Sequence, residues 1–231
     1  MTPDPDASNE SAPMRDPVAP VNALSVRRIP PGESLGDVQR LRREVYFLER
    51  GKTNGHGKRI VDGLDGCGTT MVVELQSQAV ATLRLHDFSS SAVQVEYGSL
   101  FQVDRFARAW PLAAVAVGTR LAVQAEQRAE RVMDRLMDDA YRWAQGNGIR
   151  FWLMACEPYL IDAFEHYGFR EYLPPAILPG GIGLLRMALV IDDAAQLIAC
   201  GSPLRDRVGD AGKGASARGW LDRSFGEVIQ G

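Results

Sequence analysis

Residues 111–147 limit the fold of this chain more than any other stretch. An apolar, β-branched run over residues 113–123 predicts a buried strand, polar residues follow at 124–126, and a strongly helical segment comes next. A strand that passes into a helix through a short loop leaves the first backbone N–H groups of that helix unpaired. Those groups and the positive end of the helix dipole form an anion site. We therefore expect this junction to hold a ligand that carries an anionic group.

The segments on either side of this unit predict one domain. Before it the periodicity predicts a strand, a helix and a two-stranded hairpin, and after it a strand, a short helix and two more strands. The order β-α-β-β-β-α-β-α-β-β indicates an α/β (α+β) fold, with a mixed central sheet and helices on both faces. The predicted bounds are 23–29, 35–50, 69–75, 79–88, 149–156, 157–167, 169–173 and 183–191.

Four segments lie outside these elements. Residues 1–21 are rich in Pro, Asp and Ser and predict a disordered N-terminal segment before a domain that spans 22–192. Residues 193–231 form a C-terminal extension, which we expect to be partly helical and loose between about residues 200 and 219. The glycine-rich, charged residues 51–66 predict a mobile lid or a disordered insert. The proline-rich residues 174–181 are expected to separate the last two strands.

Composition excludes several classes of protein. The formal net charge of -3 is too small to indicate a nucleic-acid partner, and the sequence contains no apolar run long enough to predict a membrane span. The three cysteines lack the C-x-x-C spacing of a zinc site, so we expect no metal. Their odd number, together with an N-terminus that does not resemble a signal peptide, predicts a reducing, cytoplasmic location.

The end of the short helix over 157–167 carries a family resemblance. Phe164, Gly168 and Phe169 form an F-x-x-x-G-F pattern. With the order of elements over residues 23–191, this pattern resembles the GNAT superfamily of acyltransferases. The resemblance implies a GNAT-like fold and a transfer of an acyl group to an amine.

Four upstream segments resemble a narrower group. LRREVYF, VDGLDGCGTTMVVEL, TLRLHDF and GTRLAV occur in this order, as in the acyl-homoserine lactone synthases and the related long-chain N-acyl amino acid synthases. The resemblance implies a small-molecule amine acceptor, and as donor the phosphopantetheine thioester of acyl carrier protein (acyl-ACP) or acyl-CoA. The matching positions are Arg42 and Tyr46 in the first helix, Asp62 and Asp65 in the loop, Arg84 on the hairpin, and Thr119, Arg120, Leu121, Ala122 and Val123 on the central strand.

The charged residues among these matches predict a cluster. Two aspartates three positions apart and three arginines from different elements can pair, and arginine–carboxylate pairs are bidentate and directional. Such a cluster would tie the 51–66 loop and the first helix to the sheet and hold a lid over a cleft. The alternative is a set of solvated surface charges.

The loop after the central strand departs from the GNAT pattern. Acetyltransferases of this superfamily have small residues there, which let backbone N–H groups approach the coenzyme A pyrophosphate, but this chain has Arg131 and Met133 at those positions. A single phosphopantetheine phosphate needs less room, and the arginines of this helix suit the acidic surface of acyl carrier protein. The alternative is a solvated helix face. We expect the acyl thioester to contact Leu121, Val123, Gln124, Arg128, Arg131 and Phe164.

The reaction requires an oxyanion donor and groups that move protons. Backbone N–H groups near residues 121–124 are candidate donors for the oxyanion. Homoserine lactone synthases have a glutamate where this chain has Val117, so the general base is not given by the resemblance. The candidate catalytic residues are Tyr167, as acid for the leaving group or alternatively a packing residue, Glu96 and Arg120. Weaker substitutes for the base are Asp104, Glu49 and His86. Candidate acyl-channel residues, or alternatively plain core residues, are Val115, Val117, Trp152, Met154 and Phe164.

These observations favour an N-acyltransferase that moves an acyl group from an acyl-carrier-protein or coenzyme A thioester to an amino acid or a similar amine. Two alternatives stay open at this point. One is an ordinary acetyl-CoA-dependent GNAT N-acetyltransferase with a degenerate loop. The other is a non-catalytic GNAT-fold domain that binds an acyl ligand or a protein.

Overall fold

A seven-stranded mixed sheet forms the centre of the protein in the computed structural model, which describes residues 24–49, 62–127, 130–178, 181 and 183–229. The strand order is β1-β2-β3-β4-β5-β7-β6, and within it only β4 and β5 run parallel. The prediction of a mixed sheet is confirmed. The strands are β1 Leu24–Ile29, β2 Thr69–Leu75, β3 Gln78–Asp87, β4 Val115–Val123, β5 Phe151–Cys156, β6 Arg170–Ile177 and β7 Gly183–Val190.

Helices cover both faces of this sheet, as predicted. On one face lie α1 (Gly36–Arg43), which continues into a π-helical turn over Glu44–Glu49, and α2 (Ser91–Tyr97), α3 (Val103–Ala107) and α7 (Ala211–Ile229). On the other face lie α4 (Glu130–Gly146), α5 (Ile161–His166) and α6 (Ala194–Ala199). We call these the α1 face and the α4 face. The predicted segment 1–21, residues 51–61 of the predicted lid, and Arg128 lie outside the described residues.

Helix α4 follows from the pattern of its apolar residues. Val132, Leu136 and Ala140 recur at helical spacing and are buried against the sheet, where the helix contacts β1, β2 and β3. The helix ends where Gly148 adopts a left-handed backbone with φ +71°, as the Asn147-Gly148 stop signal predicts.

Strand β6 is longer than predicted. Strand β6 does not stop at residue 173 but continues through Pro174 and Pro175 to Ile177. This is possible because β6 is the edge strand, where a missing N–H breaks no ladder in the sheet interior. The pairing with β7 shifts in register between Leu173 and Ala176, around the two prolines.

The C-terminal segment is more ordered than predicted. The expectation of loose chain up to residue 219 is wrong, since α7 begins at Ala211 and buries Ala217, Leu221 and Phe225 in the apolar core of the α1 face. The helical pattern was hidden by glycines, which lower helix propensity. One of them, Gly214, is required by close packing, because a Cβ there would lie 1.9 Å from the carbonyl oxygen of Asp192.

None of the helices described is both long and apolar enough to cross a membrane.

Candidate active site

The central strands β4 and β5 part midway along the sheet. They pair in parallel from Val115 to Val117 on β4 and from Phe151 to Leu153 on β5, while β4 runs on to Val123 and β5 to Cys156. Beyond Val117 the two strands no longer pair with each other, although all their residues are described. Their facing backbone groups therefore become available to a ligand. We call this place the opening; it lies at the end of the strand that leads to α4.

A β-bulge on β4 lies beside the opening. Thr82 of β3 pairs with Ala122 while Arg84 pairs with Thr119, so β4 carries one extra residue over this interval. Within it Arg120 has a left-handed backbone with φ +58°, which costs free energy in a residue other than glycine. The bulge turns the side chain of Arg120 toward the charged residues of the α1 face.

Five of the sequence-predicted residues meet there as an ion-pair cluster. Arg84 Nη1 lies 2.6 Å from both Asp62 Oδ1 and Asp65 Oδ1, and Arg42 Nη1 lies 2.9 Å from Asp65 Oδ1. Arg120 pairs with Asp62 Oδ2 through Nη2 and through Nε, the latter at 3.2 Å. The side chains of Arg42 and Arg84 are fully buried. The cluster therefore lies inside the protein, which excludes the alternative of solvated surface charges.

The arginines keep both carboxyl groups ionised. Burial by itself would raise the pKa of Asp62, but hydrogen bonds from Arg84 and Arg120 outweigh burial and hold that pKa far below its usual value. The pKa of Asp65 is lowered in the same way, against burial, by Arg42 and Arg84. Burial lowers the pKa of Arg42, which nevertheless remains a cation at any physiological pH. The cluster is thus fully charged near neutrality.

Local hydrogen bonds bring the two aspartates to the cluster. Asp62 caps a short 3-10 turn, Gly63–Gly66, by accepting from the backbone N–H of Leu64 at 3.0 Å, and Asp65 accepts from the N–H of Asp62 at 3.2 Å. On the other side Tyr46 donates to the carbonyl oxygen of Leu121 at 2.7 Å. These bonds join the chain before β2, the π-helical turn after α1, and the bulge of β4.

The α4 face of the opening is apolar and holds one buried donor. Gly118 of β4 packs directly against Trp152 and Met154 of β5, since a Cβ at this glycine would lie 2.6 Å from Trp152 Nε1. The indole N–H of Trp152 is buried and has no hydrogen-bond partner among the described residues. Buried donors without a partner are uncommon in folded proteins, which makes this N–H a candidate donor for a substrate oxygen.

The five predicted acyl-channel residues do not lie together. Trp152, Met154 and Phe164 belong to the core of the α4 face, whereas Val115 and Val117 belong to the core of the α1 face. Successive side chains of a strand alternate between the two faces of the sheet. Val115 and Val117 lie where β4 still pairs with β5 and pack in the core of the α1 face, as the alternative of plain core residues predicts.

The residues predicted to contact the thioester are spread around the end of β4. Leu121 and Val123 pack against the core of the α4 face, as does Phe164, which is buried edge-on against Phe169. The backbone N–H of Gln124 donates to Val80 O at 3.0 Å and so cannot act as an oxyanion donor. Arg131 is exposed on the first turn of α4.

The predicted proton-transfer residues occupy different environments. Tyr167 is buried and donates to Asp134 of α4 at 2.9 Å, whereas Glu96 is exposed on α2. His86 is buried rather than at an exposed strand end; burial and the charge of Arg84 lower its pKa to about 4. A neutral, enclosed imidazole does not suit a general base that exchanges protons with water. Asp104 is an exposed partner of Arg108 on α3, and the side chain of Glu49 lies outside the described residues.

The structure adds Tyr97, which sequence reasoning missed. Tyr97 ends α2, and burial raises its pKa, while Arg84, Asp62 and Arg120 lie close enough for their charges to affect it. Its hydroxyl therefore remains protonated beside the cluster. The sequence analysis assigned no role to Tyr97, because no pattern around this residue indicated its neighbours in the folded protein.

Several solved structures share this fold. FeeM, an N-acyl amino acid synthase from uncultured soil microbes, aligns with a TM-score of 0.62 at 11% identity over 81% of this chain and 99% of that one. The acyl-homoserine lactone synthase LasI aligns with a TM-score of 0.59 at 16% identity, over 78% of this chain and 95% of LasI. BjaI, a CoA-dependent acyl-homoserine lactone synthase solved with SAM and isopentyl-CoA, aligns with a TM-score of 0.58 at 18% identity. The alignment covers 85% of this chain and 99% of BjaI.

The sequence itself matches one family. No curated protein matches the chain. The family model of the N-acyl amino acid synthase FeeM matches residues 37–186, which is more than half of the chain and includes the opening, the bulge and the whole ion-pair cluster. The chain therefore belongs to the FeeM family of N-acyl amino acid synthases and is an N-acyltransferase.

Proposed function

We propose that this enzyme transfers an acyl group from a pantetheine thioester, carried by acyl carrier protein or coenzyme A, to the amine of an amino acid or a similar small acceptor. The observation that carries the proposal is the opening between β4 and β5, which joins two chemically different surfaces. Its α4 face is apolar and suits an acyl chain. Its α1 face holds buried arginines and suits a polar acceptor.

The donor side is supported by the junction of β4 and α4. Helix α4 has 17 residues, begins soon after β4 ends, and so directs its unpaired N–H groups and its dipole toward the end of that strand. Arg131 and Arg135 are exposed on α4 near this end. A single phosphate of a pantetheine arm fits these features, and an acidic carrier protein would meet the two arginines. BjaI, in its complex with isopentyl-CoA, supports coenzyme A as the other form of the donor.

The reaction joins the acceptor nitrogen to the thioester carbonyl carbon. The oxygen gains negative charge as the bond forms, the C–S bond then breaks, the amine gives up a proton, and the thiolate takes one. The proposed donor for that oxygen is the N–H of Trp152, which is buried and has no hydrogen-bond partner among the described residues. We propose Glu96 as the group that accepts the amine proton, directly or through water. A guanidinium does not exchange protons at physiological pH, so Arg120 acts by charge and hydrogen bonding.

Tyr167 is the proposed acid for the leaving thiolate, although its hydroxyl is engaged with Asp134. This role predicts that Tyr167→Phe lowers kcat roughly 100-fold, whereas Asp134→Asn, which keeps the phenol, retains most of the activity. The measurement is the steady-state rate with a fixed thioester. Equal and modest losses of kcat in the two variants would show that the hydroxyl of Tyr167 only links the end of α5 to α4 and transfers no proton.

The proposal is tested by supplying the full-length protein with acyl carrier protein or coenzyme A thioesters of two to sixteen carbons and a mixture of the twenty amino acids. We expect N-acyl amino acids with medium or long chains, detected by mass spectrometry. Transfer of acetyl groups alone would favour an ordinary N-acetyltransferase instead. The control is Arg108→Gln, an exposed substitution directly after α3, which should leave every product unchanged.

We also propose that the enzyme works in the cytoplasm. Cys67, Cys156 and Cys200 are all free thiols, as expected in a reducing compartment. A cell-fractionation experiment with an antibody to the protein tests this location, and recovery from a secreted fraction would contradict it.

A further inference from the structure

We propose that Tyr46 is a positioning residue for the acyl donor. Its hydroxyl holds the carbonyl oxygen of Leu121, and this contact keeps the backbone N–H of Leu121 turned into the opening, toward the oxygen of the thioester carbonyl. The inference rests on the proposed function and deepens it, because it adds to that site a residue that acts on the donor through the main chain of β4. Tyr46 needs no contact with either substrate for this role.

The first observation is that Leu121 has no partner in the register of the sheet. On one side of β4, the bulge leaves Arg120 and Leu121 opposite the single residue Leu83 of β3. On the other side, the pairing with β5 ends at Val117. Backbone groups inside a protein need hydrogen-bond partners, so those of Leu121 must find them outside the strand ladder.

The second observation is the partner that the Leu121 carbonyl has found. The hydroxyl of Tyr46 donates to Leu121 O at 2.7 Å, the usual distance for a bond between two oxygens. Tyr46 lies in the π-helical turn that follows α1, and turns of this kind occur mostly at functional sites. A side chain from the α1 face thus takes the place that a neighbouring strand would otherwise fill.

The third observation is the direction of the Leu121 backbone. The N–H of Gln124 donates to β3, at Val80 O. Backbone groups of successive residues point alternately to the two sides of a strand, so those of Leu121, three residues earlier, point away from β3 and into the opening. The N–H and C=O groups of one extended residue share a side. Because Tyr46 occupies the carbonyl, the N–H is the group left for a ligand oxygen.

The fourth observation is that the bulge is held from two directions. Asp62 binds the side chain of Arg120, and Tyr46 binds the main chain of the next residue, Leu121. Arg120 has a left-handed backbone, and strain of this kind persists only where the surrounding structure enforces it. A backbone donor that is fixed in advance needs no reorganisation when negative charge develops on the carbonyl oxygen. The two contacts together supply that fixed geometry.

The experiment uses two donor analogues that cannot transfer an acyl group. Both are long-chain thioethers of 4′-phosphopantetheine; one carries a ketone in place of the thioester carbonyl, and the other has only methylene groups. Calorimetry on the full-length protein measures both dissociation constants. We expect the unmodified protein to bind the ketone at least about 10-fold more tightly, and Tyr46→Phe to reduce this ratio about 10-fold. The N–H of Trp152 accounts for any preference that remains in the variant.

The matched control is Tyr172→Phe. The hydroxyl of Tyr172, on the edge strand β6, also donates to a backbone carbonyl, Phe101 O at 3.0 Å, so this variant loses a similar bond away from the opening. It should leave the ratio of the two constants unchanged. In steady-state assays kcat should fall about 10-fold in Tyr46→Phe while KM for the acceptor stays the same, and Tyr172→Phe should change neither. A ratio that survives in Tyr46→Phe overturns the inference.

Failure of the inference is distinguishable from failure of the proposed function. If the unmodified protein binds both analogues equally, the pantetheine donor stands and the inference is wrong. If it binds neither, the proposed donor is wrong and the inference falls with it. If thermal unfolding shows that Tyr46→Phe does not fold, a crystal structure of the unmodified protein with the ketone decides. A ketone oxygen beyond hydrogen-bond distance of Leu121 N, or a Tyr46 hydroxyl that has left Leu121 O, overturns the inference.

Discussion

At the scale of single residues, Asp62 is the group on which most of the site depends. Its carboxylate binds Arg84 and Arg120 and also caps the turn before β2. Because it is 23% exposed, solvent screens part of these interactions. The spacing of Asp62 and Asp65 and the presence of arginines on other elements were enough to predict a cluster. The sequence did not predict that each carboxylate is shared by two arginines, because this sharing depends on how far each side chain reaches in the folded protein.

Asp62→Asn should therefore lower the free energy of unfolding by roughly 2–4 kcal/mol at pH 7, because two buried or nearly buried arginines lose a shared partner. The folded-state pKa of Asp62 lies below its unfolded value, so its stabilisation is present above about pH 4 and is lost as pH falls below that. The difference between variant and unmodified protein should accordingly shrink on acidification. Urea unfolding between pH 3 and 7 measures this. Asp104→Asn, at an exposed pair, is the control, and a difference that stayed constant across this range would contradict the account.

At the scale of elements, the proposed function depends on the opening between β4 and β5. A continuous apolar run predicted β4, and the predicted length of this strand was close to the observed one. The position where β4 stops pairing with β5 depends on two strands that are distant in sequence, so the run alone did not predict it. The alternation of side chains across the sheet also sends Val115 and Val117 to one face and Trp152 and Met154 to the other. The sequence analysis grouped these four residues because they are all apolar, without considering which face of the sheet each side chain occupies.

Gly118→Val should close the α4 side of the opening. A Cβ at this position would lie 2.6 Å from Trp152 Nε1 and 3.0 Å from Met154, so the indole must move. We expect a loss of about 1–3 kcal/mol in the free energy of unfolding and a fall in activity that is larger for long acyl chains than for acetyl. Gly226→Ala, where an added Cβ meets nothing within 4 Å, is the matched control. Equal activity with all chain lengths would remove Gly118 and Trp152 from the acyl site.

At the scale of the whole molecule, α7 belongs to the same apolar core as residues of β4 and β5. Phe225 of α7 packs edge-on against Tyr172 of β6 with ring centroids 5.0 Å apart, and it lies 5.3 Å from Phe106 of α3. The face of the sheet that carries the ion-pair cluster is thus covered at its far end by α7. We expect one cooperative unfolding transition for the described core.

Phe225→Ala should lower the free energy of unfolding by about 3–5 kcal/mol, because it removes a buried ring from an aromatic cluster. Val95→Ala, at a side chain that is 87% exposed, should change it little. Circular dichroism and tryptophan fluorescence during urea unfolding provide the measurement. Two separate transitions, or a loss of less than 1 kcal/mol, would show that α7 is not part of the cooperative unit.

The sequence by itself determined the seven strands in their order along the chain, the mixed sheet and the identity of the cluster, because each depends on local periodicity or on short motifs with defined spacing. Only the tertiary structure decided which groups are buried and which meet. His86 is enclosed rather than exposed, Tyr97 lies beside the arginines, and Arg120 retains one buried nitrogen without a partner in the described part of the chain. Burial and residual hydrogen-bonding capacity are properties of the packed whole, since they arise from contacts between residues that are far apart along the chain.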